Sequence, residues 1–409
     1  MQQERLRISG FAGLDGAEIG LGRINLFIGP QASGKSVAAK VLYFIKTLCD
    51  DAVQTITQGL SYTTFAEERV RQFDRYFPPA FRSQNGFRIE YTLNDASMVI
   101  EGGKKMATTI SAPAWERVYR EAGEQCKQAK ESLVQNSLTP QMAVVLLFED
   151  VLQSRKPTPQ IFIPDGRGNQ SFFEELLKST GIKTQDMLDP FMVEYQKAYS
   201  WANRYLAKNY SDWWEAFAGE MRPVLRGIPI EKDGETYIHS GDGRDVLLGF
   251  ASSGQKAVLP IFKILSFLSV LQLNQQWPTV YLEEPEAHLF PESQIRLVNL
   301  MAALFNRART LQGLVTTHSP YVAASLNNLL YAGQLGVESD AARKAQVGAI
   351  VPERCWLSAE DFRAYRFGDG QVTSAMDPET QLIQADVIDS ASNETGAVFD
   401  RLVELDDRG

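Results

Sequence analysis

The chain has 409 residues, of which 44% are hydrophobic and 22% charged, and its formal net charge at pH 7 is -9. This length and composition suit one large α/β domain with an insertion, or two domains, and they exclude an intrinsically disordered chain. The acidic balance argues against indiscriminate binding to a polyanion, although a local basic groove remains compatible with it.

Neither the cysteines nor the apolar segments indicate a secreted or membrane protein. The three cysteines, Cys49, Cys126 and Cys355, lie far apart and predict no disulfide framework or zinc site, so we interpret them as thiols in a reducing cytosol. The start of the chain lacks the apolar stretch of a signal peptide. The most apolar run, Ala257–Leu273, is shorter than a bilayer span and predicts a buried helix. We therefore expect a cytoplasmic protein with no membrane contact.

The first 50 residues predict a strand, a loop and a helix. After a short strand at Leu6–Ile8, the apolar run Ile24–Ile28 ends in Gly-Pro, as a buried strand does. Apolar residues then recur at helical spacing from Val37 to Leu48. We assign residues 1–60 to the N-terminal part of an α/β head.

The interval 61–226 predicts a compact, mostly helical insertion, or arm. Aromatic-rich helical patterns cover Trp115–Leu133 and Phe191–Phe217, and a strand pair is predicted at Phe87–Leu93 and Ser97–Glu101. No sustained heptads and no internal repeat are visible, which argues against a long coiled coil.

Residues 227–409 predict the second part of the head. Strands and helices alternate here, and the pattern ends in a hairpin around Gly368–Gly370. The predicted strands are Ile228–Ile238, Val246–Phe250, Thr279–Leu282 and Gly313–Thr317, with a long helix before the third and a helix at Glu292–Phe305 before the fourth. This order is typical of a mixed, mostly parallel sheet with helices on its faces.

A phosphate-binding loop follows the strand Ile24–Ile28. Its sequence fits G-x-x-x-x-G-K-[ST] between a strand and a helix, with the residues Gly29, Pro30, Gln31, Ala32, Ser33, Gly34, Lys35 and Ser36. Backbone N–H groups of such a loop face phosphate oxygens. We expect Lys35 to reach the β- and γ-phosphates of ATP and the Ser36 hydroxyl to bind Mg²⁺. The alternative is a Gly-rich turn that caps a helix.

Acidic residues follow the predicted strand Thr279–Leu282. A carboxylate at the end of a strand lies beside the phosphate loop in open α/β sheets. We assign Glu283 to Mg²⁺ and Glu284 to the attacking water, because ATP hydrolysis needs one carboxylate for each task. Taken alone, the segment would be interpreted as a solvated acidic loop.

Two further segments are candidates for contacts with the γ-phosphate. His318 follows a predicted strand and could detect the phosphate, although a lone histidine in this place is more often structural. The second segment, before the long helix, offers amides and hydroxyls for an anion and comprises Ser252, Ser253, Gly254 and Gln255. One chain does not need two such sites for one phosphate. We therefore expect this second segment, called the signature below, to cap the nucleotide bound by a second chain. A plain Ser-rich N-cap is the alternative.

In this order, the phosphate loop, A-S-S-G-Q-K, L-E-E-P-E-A-H-L-F-P and T-T-H-S-P-Y resemble the SMC/RecF-like branch of ABC ATPases. Within that branch the sequence is most similar to the overcoming-lysogenisation-defect family and related AAA-type ATPases of phage-defence systems. The resemblance covers residues 1–50 and 245–325, and the insertion only loosely. It implies an α/β head with an internal arm, and two heads that enclose ATP and Mg²⁺ as a homodimer or higher homo-oligomer.

The resemblance also implies roles for particular residues. Lys35 and Ser36 match the family's phosphate-loop pair, and Ser252 and Gly254 match two positions of its signature. Glu284 matches the catalytic glutamate, and His318 matches the switch histidine. Two positions depart from the pattern, because Glu283 replaces the usual metal-side aspartate and Phe290 the usual D-loop aspartate. Arg167 ends an I-P-x-x-R stretch of this branch. It is predicted to face nucleotide or a partner, with a surface salt bridge as an equal alternative.

The overcoming-lysogenisation-defect family carries a TOPRIM nuclease domain after the ATPase, and such a domain needs a D-x-D pair for metal. Residues 320–409 contain no D-x-D, and the adjacent pair Asp406-Asp407 does not supply one. We therefore predict an ATPase without a nuclease of its own, acting as a sensor or scaffold that controls a separate effector, a nuclease or a toxin. This division resembles the two-component PARIS systems.

Two other functions remain open at this point. A RecF/SMC-like DNA-repair clamp is the second hypothesis, so nucleic acid stays a candidate ligand. A transporter ATPase is the least favoured, because E-E-P-E-A-H-L-F-P and T-T-H-S-P-Y are not typical of that class.

Overall fold

The computed structural model describes residues 4–131, 159–169, 189–208, 219, 221–270, 278–337, 340–384 and 386. Its helices are α1 (Lys35–Lys46), α2 (Leu48–Thr57), α3 (Tyr62–Tyr76), α4 (Pro113–Glu131), α5 (Pro190–Lys208), α6 (Ser253–Val270), α7 (Pro291–Arg307), α8 (Pro320–Val337) and α9 (Ala341–Ile350). Its strands are β1 (Glu4–Ser9), β2 (Ala17–Gly20), β3 (Ile24–Ile28), β4 (Phe87–Leu93), β5 (Ala96–Gly102), β6 (Thr109–Ser111), β7 (Gln160–Ile163), β8 (Gly227–Lys232), β9 (Glu235–Ser240), β10 (Asp245–Leu247), β11 (Thr279–Glu283), β12 (Gln312–Thr317), β13 (Phe362–Gly368) and β14 (Gln371–Ser374). The predicted helix ends at 132–133 and 209–217, and the pair Asp406-Asp407, lie outside the described residues.

The main sheet has six strands in the order β14-β13-β3-β12-β11-β7. Every neighbouring pair from β13 to β7 is parallel, and only β14 at the edge is antiparallel. The predicted α/β fold class, an ABC-type P-loop ATPase head with a mixed, mostly parallel sheet, is confirmed. Because β3, β12, β11 and β7 are parallel neighbours, their carboxyl ends meet at one edge of the sheet, where ligands bind in open α/β folds.

Both faces of this sheet are buried, which explains why its strands are nearly continuous apolar runs. Alternate residues of β3 point to opposite faces: Leu26 and Ile28 pack in the core that contains α6, α7 and α8, whereas Phe27 packs in the core beneath α1. Burial on both faces holds the strand ends of the sheet firmly in place. The loops that follow them are therefore anchored on a rigid support.

A second, antiparallel sheet has the order β2-β1-β4-β5-β6 and covers the α1 core. Its strands β4 to β6 come from the interval 61–226, and so does β7 at the edge of the main sheet. β4 pairs with the whole of β1 from Glu4 to Ser9, and this pairing removes what would otherwise be an open edge. The interval predicted as an insertion thus contributes strands to both sheets of the head as well as helices. The division at 60 and 226 stays a prediction.

The segment before α6 differs from the prediction of a strand at Val246–Phe250. Only Asp245–Leu247 is extended, as the edge of the sheet β10-β9-β8, and Leu248–Phe250 forms a short 3₁₀ turn. The Ala251 N–H closes this turn on the Leu248 carbonyl, which directs the chain into α6. Among the described residues, no helix has the length and apolarity needed to cross a membrane.

Candidate functional site

The phosphate loop joins β3 to α1 at the carboxyl edge of the sheet, as predicted from its motif. Gly29 has φ 155°, and a Cβ there would lie 2.1 Å from the Phe367 carbonyl oxygen, so only glycine fits. Gly34 is the N-cap of α1, so the first amides of the helix open onto the loop. This arrangement directs N–H groups and the positive end of α1 at one point, which suits an anion.

Lys35 is buried beneath this loop and points back along it. Its Nζ donates to the carbonyls of Gly29 and Pro30 at 2.8 and 2.7 Å and to Ser33 Oγ at 3.3 Å. Burial lowers the pKa of Lys35, and the charge of Glu284 opposes that effect. A buried ammonium whose acceptors are all neutral gains from an anion in reach, so these contacts fit exchange for phosphate oxygens.

An open cleft of about 520 Å³ lies over the loop. Its walls are formed by Ala12, Gly13, Gln31, Ala32, Ser33, Gly34, Lys35, Ser36, Val37, Ala80, Phe81 and Glu284. The cleft thus brings the phosphate loop together with the predicted catalytic glutamate.

The predicted metal residues Ser36 and Glu283 lie near each other, and Glu283 Oε1 has no hydrogen-bond partner among the described residues. Burial raises the pKa of Glu283, and the charge of Lys40, the Ser36 hydroxyl and the Asp165 N–H act against it. A hydroxyl and an incompletely bonded carboxylate are the oxygen ligands that Mg²⁺ prefers, so the residues present fit Mg²⁺ despite the extra methylene.

Glu284 and His318 meet where β11 and β12 end. His318 Nδ1 lies 3.2 Å from Glu284 Oε1, and the side chains are 51% and 23% exposed. Glu284 has φ 41°, and its N–H donates to the Thr316 carbonyl of the neighbouring strand at 3.0 Å. The strand end therefore turns sharply and presents this carboxylate to the cleft. His318 lies close enough to hold it there.

Glu286 is a site residue to which the sequence prediction gave no separate role. It is 4% exposed, it accepts a hydrogen bond from the Thr317 hydroxyl, and its Oε2 has no partner among the described residues. Burial raises the pKa of Glu286. The Ser319 N–H in turn donates to Thr317 Oγ1 at 2.9 Å, and Ser319 Oγ donates to Gln294 Oε1 at 2.6 Å. This chain of contacts ties the segment carrying His318 to the carboxylate turn Glu283–Glu286 and to α7.

Lys40 is a second residue that the sequence prediction missed. Its Nζ forms an ion pair with Asp189 at 3.1 Å and lies 4.7 Å from the Phe191 ring centroid, and its charge favours the ionised form of Glu283. A signal was present, because Ser36 and Lys40 are four residues apart and share one face of α1.

Arg167 does not occupy either of its predicted positions. It is 1% exposed, so the surface salt bridge is wrong, and it faces neither the cleft nor a free surface. Its guanidinium instead donates, at 2.8 to 3.1 Å, to the carbonyls of Pro164, Ala257, Glu283, Glu284 and Pro285. The physical reason is that β7 pairs with β11, which places the turn after β7 beneath the carboxylate turn.

The signature segment forms the N-terminus of α6. Ser252 and Gln255 make reciprocal bonds, since the Gln255 N–H donates to Ser252 Oγ at 3.3 Å and the Ser252 N–H donates to Gln255 Oε1 at 3.0 Å. These two bonds form a capping box. Within one head the segment therefore acts as the Ser-rich N-cap of α6, which was the alternative interpretation of the sequence. Ser252 and Ser253 are exposed, and the described lining of the cleft includes no signature residue. A role on another chain's nucleotide stays a prediction.

The start of α6 packs against the chain just beyond the carboxylate turn. A Cβ added at Gly254 would lie 3.0 Å from the Leu289 side chain and 3.1 Å from the His288 carbonyl oxygen. Phe290, at the predicted D-loop position, is 73% exposed at the N-cap of α7. The signature therefore sits beside an exposed aromatic residue rather than an acidic one.

Comparisons with known proteins were made against family models, curated proteins and solved structures. The family model of the AAA ATPase domain matches residues 169–323, a span that contains the signature, the carboxylate strand and His318. No curated protein matches the sequence.

Similar solved structures include SMC head domains and RecF. The SMC head domain from Thermotoga maritima shares 12% identity, with 91% of this chain and 98% of that chain covered and a TM-score of 0.38. The Smc head domain from Pyrococcus furiosus, solved with the C-terminal domain of ScpA, shares 12% identity over 91% and 96% of the chains, with a TM-score of 0.40. The recombination mediator protein RecF shares 12% over 91% and 98%, with a TM-score of 0.33. The class itself is defined by the sheet order and the phosphate loop, which together make this chain an ABC-type P-loop ATPase head by fold.

Proposed function

We propose that this chain binds ATP and Mg²⁺ and hydrolyses ATP between two heads. One observation supports the proposal: the parallel strands β3, β12 and β11 end side by side, Lys35, Ser36 and Glu284 line one cleft, and His318 Nδ1 lies 3.2 Å from Glu284 Oε1. Each of these residues has the chemistry that phosphoryl transfer to water requires.

Each residue has a separate task in this proposal. Lys35 and the amides of the phosphate loop bind the phosphates, and Ser36 and Glu283 hold Mg²⁺. Bound Mg²⁺ supplies neutralisation of the phosphate charge that develops during transfer. Glu284 orients the attacking water and accepts its proton. His318 donates to a γ-phosphate oxygen, and it can contact Glu284 and phosphate together only when both ring nitrogens carry protons.

A second copy of the chain completes the site in this proposal. The exposed hydroxyls of Ser252 and Ser253 at the N-terminus of α6 form a further anion site, and they stand outside the cleft of their own head. Head-to-head closure, in which each signature covers the other chain's ATP, gives these groups a ligand. Glu284 would then act on ATP that is bound by both chains.

Lys35→Ala is the direct test of the phosphate loop. We expect the variant to lose ATP binding, measured by calorimetry, because it removes the buried cation that faces the phosphates. Lys104→Ala, at an exposed position outside the described lining of the cleft, is the matched control. Binding of ATP by Lys35→Ala at the affinity of the unaltered protein would refute the assignment.

For the biological role we propose a sensor or scaffold subunit that controls a separate effector in anti-phage defence. The order of the motifs, which resembles that of the overcoming-lysogenisation-defect family, supports this proposal. Expression together with the genes beside it should yield a complex that contains an effector. The purified chain with ATP and Mg²⁺ or Mn²⁺ should cleave neither DNA nor RNA.

A DNA-repair clamp of the RecF/SMC type is the second candidate. The similar solved structures include a recombination mediator, and the same ATP-dependent closure would suit a clamp. The two candidates differ in one measurable property. A clamp binds DNA with an affinity that falls steeply as salt rises, whereas the sensor proposal requires only the partner protein.

A further inference from the structure

Arg167 connects three separate segments of the head. It lies in the 3₁₀ turn Asp165–Asn169, directly after β7. One of its bonds closes its own turn, one reaches α6 at Ala257, and three reach the consecutive carbonyls from Glu283 to Pro285. Through these bonds the guanidinium joins the second turn of α6 to the main chain of the catalytic glutamate.

The chemistry of guanidinium suits this task. Its planar fork presents five N–H donors in fixed directions, and here every described acceptor is a main-chain carbonyl. The buried positive charge is therefore stabilised by peptide dipoles and by the nearby carboxylates of Glu283 and Glu286. A lysine has one ammonium with three donors and cannot satisfy all of these carbonyls. Loss of the fork removes the bonds from the guanidinium to the carboxylate turn and loosens that turn.

A second contact joins the same two parts of the chain. Gly254, at the start of α6, packs tightly against the His288 carbonyl and the Leu289 side chain, since an added Cβ would lie 3.1 and 3.0 Å from them. The first turn of α6 thus touches the stretch after the carboxylate turn through Gly254, and its second turn touches the carboxylate turn itself through Arg167. Arg167 is therefore the direct contact through which a displacement of α6 would reach the carboxylate turn.

We propose that Arg167 is a positioning residue that couples the catalytic glutamate of one nucleotide site to the signature helix of the same chain. Because that signature acts on the partner's ATP, Arg167 links the two composite sites of a closed pair. This inference rests on the proposed function. It assigns Arg167 no contact with ATP, which separates it from the phosphate-loop residues.

Arg167→Lys tests the positioning role, with Arg204→Lys as control, since Arg204 is exposed on α5 and bonds a single carbonyl. Two readouts do not depend on turnover. In the nucleotide-free variant, amide hydrogen exchange should rise in residues 283–290 while the melting temperature changes little, and ATP should bind within about threefold of the unaltered affinity. In turnover assays, kcat should fall about tenfold to a hundredfold at nearly constant KM, the range expected on losing hydrogen bonds from a charged donor. Unchanged exchange and unchanged kcat would overturn the proposal, as would loss of ATP binding in parallel with general unfolding.

Mixed pairs test the coupling itself. In a pair of one Lys35→Ala chain and one Ser252→Arg chain, a single composite site keeps its phosphate loop and its signature, contributed by different chains. Arg167→Lys is then added either to the Ser252→Arg chain, which supplies Glu284 to that site, or to the Lys35→Ala chain, which supplies only the signature. We expect turnover to fall in both placements. A fall in the first placement alone would overturn the coupling, because Arg167 would then act only on its own glutamate. If the starting pair has no turnover, cross-chain action fails, and the exchange and kcat results for Arg167→Lys still decide the positioning role.

Discussion

Replacing Glu283 by Gln should stabilise the nucleotide-free protein while it removes the stabilisation given by Mg²⁺ and ATP. Glu283 is 5% exposed and carries a carboxylate oxygen without a described partner, so the folded head contains an incompletely compensated buried charge. Gln is nearly isosteric, and its carbonyl oxygen can still face the Ser36 hydroxyl and the Asp165 N–H, which favour the ionised form of Glu283. Removing the charge therefore removes a desolvation cost and few contacts.

The size of the effect follows from the cost of an unsatisfied buried group, about 1–3 kcal/mol. At an unfolding entropy of about 2.1 cal/mol/K per residue, a chain of this length shifts its melting temperature by about 1 °C per kcal/mol. We expect nucleotide-free Glu283→Gln to melt about 1 to 4 °C above the unaltered protein. With Mg²⁺ and ATP at about a hundred times the dissociation constant, the unaltered protein should gain about 2.7 kcal/mol, and the variant much less.

Differential scanning calorimetry of both proteins, with and without Mg²⁺ and ATP, measures the two effects. Glu235→Gln is the control, since this glutamate is exposed on β9. A nucleotide-free variant that melts below the unaltered protein would refute the argument about the buried charge. An equal gain on adding Mg²⁺ and ATP would instead refute the assignment of Glu283 to the metal.

Three further predictions concern hydrolysis, closure and pH. Glu284→Gln should bind ATP yet hydrolyse it about a hundredfold more slowly. Light scattering with ATP should show more dimer for this variant than for the unaltered protein. Unchanged turnover would move the water-activating role to Glu283. Ser252→Arg should spare ATP binding and abolish closure, and mixing it with Lys35→Ala should restore turnover; no restoration would contradict action between chains. Burial, together with the neighbouring charge of Asp51, raises the pKa of Asp50 to about 7. Because this carboxyl ionises less readily in the folded protein than in the unfolded chain, the folded protein loses stability as pH rises from about 4 through 7. Asp50→Asn should therefore raise the free energy of unfolding at pH 8 by on the order of 2 kcal/mol, a value discounted for the partial exposure of this side chain, and should leave it unchanged near pH 4. Urea denaturation at the two pH values measures both effects.

The sequence predicted those parts of the head that local patterns determine. The apolar run Ile24–Ile28, the glycines that follow it and the helical spacing after Lys35 lie within a few dozen residues, and each signal agrees with the others. The same holds for the acidic end of β11 and for His318 after β12, which the parallel pairing of β11 with β12 brings together.

The sequence could not predict features that depend on distant pairings. Four of the five partners of Arg167 lie 90 to 118 residues away, and all five are main-chain carbonyls, which leave no mark in any side-chain pattern. The pairing of β4 with β1 joins residues 79 to 89 positions apart, so the predicted strand pair β4-β5 is part of a sheet of the head rather than a separate local hairpin. Glu286 was visible as a third acidic residue, but its burial depends on Thr317 of another strand.

The carboxylate turn shows how these distant contacts serve the site. Glu284 adopts a left-handed backbone conformation that is unfavourable for a residue with a side chain, and surrounding contacts must maintain it. Arg167 holds its carbonyl from below, and Glu286 anchors the turn to Thr317 from the side. Of the three glutamates in this turn, Glu283 and Glu286 are buried, and Glu284 alone lines the cleft. The bonds that fix the main chain thus decide which carboxylate faces the cleft, because the sequence E-E-P-E offers three carboxylates and the fold directs one of them there.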